Sequence, residues 1–151
     1  MPPTHPMPHM EKVGRYDVFE PHEAVDSMPV AITRDILVSV DTVYQGLVHG
    51  QHYFAYRITI RNQGDQTVRL LRRHWFITDV WTGRSEVEGD GVVGEQPVLG
   101  PGQVHQYVSG CPLLSGIGKM HGTYLMQPME TGKAFRVQIP EFVMYLPFIL
   151  N

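Results

Sequence analysis

Apolar and polar residues alternate with a period of two along most of the chain from residue 36 onward. In the first run, Ile36, Val38 and Val40 share one phase, while Ser39 and Asp41 occupy the other. This period is typical of a β-strand with one buried face, because successive side chains point to opposite sides of a sheet. The pattern therefore predicts strands rather than helices.

Seven further runs of this kind follow, separated by residues that favour turns. Asn62, Gly64 and Asp65 supply turn chemistry after the second run, and Leu70 breaks the phase of the third, which indicates a β-bulge. The predicted strands are Ile36–Tyr44, Phe54–Arg61, Val68–Asp79, Glu86–Val93, Val104–Ser109, Thr123–Gln127, Ala134–Ile139 and Phe142–Leu146.

The composition agrees with an all-β fold. The 151 residues include 15 Gly, 12 Pro and only 18% charged residues, which suits a turn-rich domain better than a helical one. We predict an antiparallel β-sandwich of about seven to eight strands, similar to immunoglobulin and fibronectin type III domains. Its core should include Phe54, Ile58, Trp75, Ile77, Tyr107, Tyr124, Phe135 and Val137.

The first part of the chain has a different character. Residues 1–30 are rich in proline and histidine and have little apolar periodicity, so we expect a flexible N-terminal extension. Residues 31–151 are expected to form the sandwich as one domain. No apolar stretch is long enough to cross a membrane, and no secretory signal is visible at the N-terminus.

Charge and cysteine content exclude several classes of function. A formal net charge of −3 gives no general attraction to nucleic acid or to an anionic membrane surface. Cys111 is the only cysteine, which rules out an intrachain disulfide and a multi-thiolate zinc site. A reducing, cytoplasmic location is the expectation that follows.

Gly89, Gly91 and Gly94 match the GxGxxG pattern of dinucleotide-binding proteins. Glu95-Gln96-Pro97 follows at once, so no helix can begin there to bind a pyrophosphate. Two interpretations stay open. The glycines either form a nest of amides that binds an anion, or they permit a tight connection between strands.

Arginines near this loop could complete an anion site. If the strands around Ile58 and Leu71 pair, Arg57, Arg61, Arg69 and Arg73 would share one outward face. Such a basic stripe could bind a phosphate or carboxylate through charge-assisted hydrogen bonds. The alternative is a solvated strand face whose charges protect a sheet edge.

The sequence shows no catalytic centre, no cofactor motif and no metal-ligand spacing. The histidines of the extension, His5, His9 and His22, could bind metal only loosely. His105 and Ser109 are about 13 Å apart along a strand, too far for proton transfer. The acidic residues near the glycine segment could attract a hydrated Mg²⁺ ion; they are Glu86, Glu88, Asp90 and Glu95.

Several ordered motifs resemble the ApaG family. They are RNQG at 61–64, RHWFITD at 73–79, GDGVVGEQPVLGPG at 89–102, QYVSG at 106–110 and GKMHGTYLM at 118–126, within a match over roughly residues 34–151. The departures are the N-terminal extension and the local sequence Leu114-Ser115-Gly116-Ile117. The resemblance implies a fibronectin-like sandwich without established enzymatic activity. It also implies an association with cobalt and magnesium resistance in bacteria and, by analogy with eukaryotic relatives, protein binding.

Two functions are therefore expected in competition. The first is a non-catalytic binding or interaction protein, which the resemblance connects with divalent-cation homeostasis. It would bind a protein partner or a small ligand, as a monomer or a homodimer. The alternative is a protein that binds phosphate, pyrophosphate or a nucleotide through Gly89, Gly91, Gly94, Arg57 and Arg73.

Overall fold

The computed structural model describes residues 28–147. All of its regular elements are strands, which confirms the predicted all-β class. They are β1 (Val30–Thr33), β2 (Ile36–Val48), β3 (Gln51–Asn62), β4 (Val68–Asp79), β5 (Gly83–Asp90), β6 (Val98–Leu99), β7 (Val104–Leu113), β8 (Ile117–Pro128) and β9 (Phe135–Tyr145).

The strands form two antiparallel sheets. The first has the order β1-β2-β3-β7, and the second has the order β5-β4-β8-β9, with β6 paired to β4. The chain crosses from one sheet to the other after β3, after β6 and after β7. The arrangement is the predicted sandwich of the immunoglobulin and fibronectin type III kind, with β1 and β6 as two short additional strands.

Several strand boundaries differ from the prediction. β8 begins at Ile117 rather than Thr123, because Gly118 and Gly122 interrupt the apolar pattern without interrupting the strand. The two strands predicted on either side of Pro140 form one strand, β9, whose pairing shifts between Ile139 and Phe142. The extension predicted for residues 1–30 lies outside the described residues as far as residue 27, and β1 begins at Val30.

The predicted bulge in β4 is confirmed. Leu70 pairs with Met126 and Arg72 pairs with Leu125, so Leu71 is one residue in excess on β4. This extra residue changes the phase of the strand. Residues 68 and 70 are buried before the bulge and Trp75 is buried after it.

The core lies between the two sheets and contains the residues that the sequence predicted. Phe54, Ile58, Trp75, Tyr124 and Val137 are at most 2% exposed. The other three predicted core residues are partly buried and pack against this cluster; they are Ile77, Tyr107 and Phe135.

Asn62 holds together the corner where the chain leaves β3. Its side chain is buried, and its Nδ2 donates to the carbonyl oxygens of Gln66 at 2.7 Å and Leu99 at 3.0 Å. Its Oδ1 accepts from the amide of Gly64 at 2.9 Å. The RNQG motif at 61–64 is therefore accounted for by a satisfied buried side chain that fixes the β3–β4 turn.

The two lateral sides of the sandwich differ. On one side β1 and β2 pack against β9, and the amide of Gln138 donates to Thr33 Oγ1 at 3.1 Å. On the other side the sheets end in β7 and β5, which are the edge strands there. The glycine-rich segment after β5 lies on this second side.

Candidate functional site

The glycine-rich segment after β5 forms a β-hairpin with a two-residue turn. Val92 and Glu95 exchange backbone hydrogen bonds of 2.8 and 2.9 Å. Between them, Val93 and Gly94 have φ angles of 47° and 76°. Positive φ at both central positions is the signature of a type I′ turn. We call residues 91–95 the glycine hairpin.

Gly91 is required by a close backbone approach. Its φ is 65°, and a Cβ atom added there would lie 2.2 Å from the carbonyl oxygen of Glu95. Gly94 has open space around it and is required only for its φ. The predicted tight-turn role is confirmed for Gly91 and Gly94, whereas Gly89 lies within β5 and has no positive φ. A role of the three glycines in binding an anion stays a prediction.

Arg73, on β4, makes hydrogen bonds to the start of this segment. Its Nη1 donates to the carbonyl oxygens of Asp90 at 3.0 Å and Gly91 at 3.1 Å. The guanidinium lies across Gly89, where an added Cβ would come within 2.9 Å of Nη1. The bulge at Leu71 sets this direction, because after it Arg73 and Trp75 take the face that Val68 and Leu70 occupy before it.

Three amides of the segment donate hydrogen bonds within the protein. The amide of Gly91 donates to the carbonyl of Leu71 at 2.8 Å, and those of Val92 and Glu95 donate across the turn. Gln96 Nε2 also donates to the Leu71 carbonyl, at 3.0 Å. These bonds hold the hairpin against β4, so an anion that used the three amides would have to displace them.

Arg57 approaches the glycine hairpin from the other sheet. It lies on β3, pairs with Asp41 at 3.2 Å and has a side chain that is 17% exposed. Arg57 and the hairpin line one cleft of about 430 Å³. The hairpin contributes Val92, Val93 and Glu95, and β7 contributes His105, Gln106, Tyr107 and Val108. The structure thus brings Arg57 and the hairpin together, while Arg73 is not among the lining residues.

The predicted basic stripe does not form. Arg57 and Arg61 lie on β3 in the first sheet, whereas Arg69 and Arg73 lie on β4 in the second. The turn at residues 62–67 leads from one sheet to the other, so the two strands do not pair. Turn composition alone does not reveal whether a connection closes a hairpin or crosses a sandwich.

The edge of β7 is the feature of this cleft that the sequence did not reveal. β7 reads VHQYVSGCPL and carries no Asp, Glu, Lys or Arg. By contrast β5, the edge strand of the facing sheet, reads GRSEVEGD and carries four charged residues. Charged side chains are a common protection of sheet edges against pairing with another chain, and β7 lacks them.

Tyrosine hydroxyls line the inner side of β7. Tyr107 and Tyr124 share a hydrogen bond between their hydroxyl groups, which bridges the two sheets. Burial raises the pKa of both phenols, and the nearby Arg73 guanidinium opposes that rise. The pair is therefore neutral near pH 7 and closes the core behind the cleft.

The candidate nucleophiles on β7 are buried. Ser109 is 4% exposed and hydrogen-bonds the side chain of Tyr56. Burial, with a smaller contribution from Asp79, raises the pKa of Cys111 to about 12. At neutral pH Cys111 is a thiol, and the thiolate that nucleophilic chemistry needs is absent.

The strand histidines do not converge on one site. His105 lines the cleft on β7, His52 Nδ1 is 2.8 Å from the Tyr44 hydroxyl, and His74 and His121 lie on the second sheet. Among residues 28–147 there is also no helix long and apolar enough to cross a membrane.

Comparison with known proteins gives consistent matches. The family model described as the ApaG domain matches residues 45–128. Protein ApaG of Paramagnetospirillum magneticum is 50% identical over 119 residues, which cover 76% of this chain and 91% of that protein. Protein ApaG of Caulobacter vibrioides is 45% identical over 121 residues, covering 78% and 86% of the two chains. The crystal structure of an ApaA protein from Bordetella pertussis superposes with a TM-score of 0.71 at 40% identity, covering 80% of this chain and 97% of that one.

Proposed function

The chain belongs to the ApaG family, and we propose that it is a non-catalytic binding module whose partner is an extended protein segment that pairs with the edge of β7. The observation that carries this proposal is the uncharged edge strand β7 beside an open cleft. An extended peptide added to a sheet edge gains affinity from main-chain hydrogen bonds and specificity from alternate side-chain pockets.

The cleft offers chemistry suited to such a segment. Val93, which is 38% exposed, provides an apolar contact on the hairpin side, and Gln106 and Val108 line the β7 side. Arg57 and Glu95 place one charge of each sign in the same cleft. That mixture favours a peptide with polar and apolar positions over a compact polyanion.

Selection and mapping of peptides test the proposal. Extended peptides are selected from a random library against the full chain, and their binding is mapped by amide chemical shifts. We expect perturbations at residues 104–108 and 92–95. Val108→Lys should weaken binding at least about tenfold, since a lysine on an edge strand opposes pairing.

Val143→Lys is the charge control, because Val143 is a 57% exposed valine on β9. It should bind the selected peptides as the unaltered chain does. Since Val108 packs against Ala55, circular dichroism checks that Val108→Lys is folded. Peptides that perturb other surfaces, or a library that yields no binder, would contradict the proposal.

Binding of phosphate, pyrophosphate or a nucleotide is the second candidate, and one observation favours it. Arg57 reaches the same cleft as the glycine hairpin, although the two belong to different sheets. An anion bound in this cleft would have to compete with Asp41 for Arg57 and would lie near Glu95. This competition is why we rank it second.

Calorimetric titration with pyrophosphate and ATP, at low and moderate salt, separates the candidates. Micromolar binding that is lost in Arg57→Gln and kept in Arg136→Gln, an exposed arginine on β9, would support the anion site. No heat with either anion would leave the protein partner as the better explanation.

A link to cobalt and magnesium homeostasis and a cytoplasmic location complete the proposal. The first is supported by the family resemblance alone, and the second by a lone cysteine that is buried and free. Expression of this chain in a bacterium that lacks its own ApaG protein tests the link. Restored cobalt tolerance would support it, and unchanged sensitivity would contradict it.

A further inference from the structure

Three metal-ligating side chains meet on the outer face of the second sheet, away from the cleft. His74 lies on β4, and Glu86 and Glu88 lie on β5. Their ligand atoms all lie within 4.8 Å of one another. Strand register produces this meeting, since His74 pairs directly with Glu88 while Glu86 is the next residue of β5 on the same face.

The separations lie near those between the ligands of one metal ion, which would replace the hydrogen bond between His74 and Glu86. His74 Nε2 is 2.9 Å from Glu86 Oε1 and 3.4 Å from Glu88 Oε2. Donor atoms around a tetrahedral zinc ion with bonds of about 2.0–2.2 Å are roughly 3.3–3.6 Å apart. From this geometry we infer that His74, Glu86 and Glu88 form a binding site for a divalent transition-metal ion of the Zn²⁺ class, with the remaining position open to solvent.

Neighbouring groups hold the ligands in place. Glu88 presents Oε2 to His74 while its Oε1 lies 3.6 Å from Arg72 Nη2. The ring of His74 lies 4.4 Å from the ring of Phe76, centre to centre. Such outer contacts orient metal ligands and reduce the entropy lost when the ion binds.

The local charge favours a cation, and the types of ligand atom favour one of intermediate hardness. The two carboxylates contribute −2, and the charge of Arg72 is offset by its pairing with Asp90. A further cation, Arg84, lies over the Phe76 ring beside the cluster. An imidazole nitrogen among carboxylates favours zinc or nickel over magnesium, which prefers oxygen ligands. The inference rests on these three side chains and is independent of what occupies the β7 cleft.

Zinc titration of the full chain, followed by calorimetry and amide chemical shifts, tests the site. We expect shift changes at residues 73–76 and 84–89 and no comparable change with Mg²⁺. His74→Gln and Glu88→Gln should each reduce zinc affinity by at least about tenfold, because even outer-shell partners of metal sites carry 10- to 100-fold effects.

The controls use the same chemistry elsewhere on the second sheet. His121→Gln alters a histidine that stacks on Phe76 without joining the cluster, and Glu141→Gln alters a glutamate that pairs with Lys119. Both should keep the affinity of the unaltered chain. The histidines at positions 5, 9 and 22 give the same background in every variant.

Two results would overturn the site. One is an identical zinc isotherm for the unaltered chain and His74→Gln. The other is a set of shift changes confined to the first 27 residues. If His74→Gln melts at a lower temperature without metal, Glu86→Gln provides the same comparison with the imidazole intact.

Discussion

Val93 occupies a backbone conformation that β-branched residues rarely adopt. Its φ of 47° places it in the left-handed region, at the first central position of the type I′ turn. Asn-Gly is the preferred pair for this turn, and the chain has Val-Gly. The strain of such a residue is about 1–3 kcal/mol, and its side chain lines the cleft.

Val93→Asn should therefore stabilise the protein by about 1 kcal/mol, because asparagine tolerates positive φ better than valine. The measurement is the urea midpoint at constant m-value. Val80→Asn is the control, since Val80 is 63% exposed in a turn without positive φ. A lower midpoint for Val93→Asn than for Val80→Asn would show that the valine is not strained.

Asp79 is a buried carboxylate with several donors. Its Oδ2 accepts from the amide of Leu114 at 2.6 Å, and its Oδ1 accepts from that of Trp81 at 2.9 Å. Burial raises the pKa of Asp79, but hydrogen bonds from Ser115, Trp81 and Leu114 outweigh burial and leave the pKa below its ordinary value of 3.8. The charged form is thus favoured by folding.

Asp79→Asn should cost about 2 kcal/mol near pH 7, because an amide group cannot accept all these hydrogen bonds. The stabilisation is complete above about pH 5 and is lost as the pH falls through the depressed pKa of the folded state. Thermal melts at pH 7 and pH 4 measure both effects, with exposed Asp65→Asn as control. Equal losses at both pH values and in both variants would contradict this role.

Among the elements, the glycine hairpin shows what a sequence pattern can and cannot reveal. The glycines were predicted to allow a tight connection, and the φ angles of Gly91 and Gly94 agree. The partner across the cleft could not be predicted, because it depends on which strand forms the edge of the other sheet. Edge position is a property of topology, and the alternation of residues within β7 does not encode it.

The β4 bulge and the length of β8 show the same contrast, between a feature that the sequence predicts and one that it does not. The bulge was predictable, since an extra residue changes the apolar phase at Leu70. The first half of β8 was not, because Gly118 and Gly122 have no side chains to mark a phase. The sequence left open whether β3 and β4 pair, and the structure places them, with Arg57 and Arg73, in different sheets.

Gly91→Ala and Gly94→Ala form a matched pair within the hairpin. Gly91→Ala should cost about 3 kcal/mol, because the new Cβ meets the Glu95 carbonyl and the φ is unfavourable. Gly94→Ala should cost about 1 kcal/mol, since only its φ is unfavourable. Urea unfolding measures both, and equal costs would show that the close approach at Gly91 is readily relieved.

At the scale of the whole molecule, three tyrosines join the two sheets. Tyr56, Tyr107 and Tyr124 belong to β3, β7 and β8. Burial raises the pKa of each phenol above its ordinary value of 10.0. Their neutral form is favoured by folding, so this stability is complete below pH 10 and is lost as the pH rises further.

Three of the seven tyrosines should therefore ionise only when the protein unfolds. The phenolate absorbance and the circular dichroism are recorded together from pH 9 to pH 13. We expect the last part of the absorbance change to coincide with the loss of dichroism. The urea-unfolded chain is the control, and ionisation of all seven tyrosines before any loss of dichroism would contradict the burial of these three.

The position of β7 also has a consequence for how the protein folds. Within residues 28–147, β7 pairs only with β3. Its contacts, such as Arg61 with Val104 and His52 with Leu113, join distant parts of the chain. Pairings of this kind form slowly, because a long loop must close first. Until they form, an uncharged strand is unpaired on both sides and can join the same strand of another molecule. The yield of refolding should thus fall as protein concentration rises. This sensitivity to concentration comes from the same uncharged edge of β7 that we propose as the binding surface.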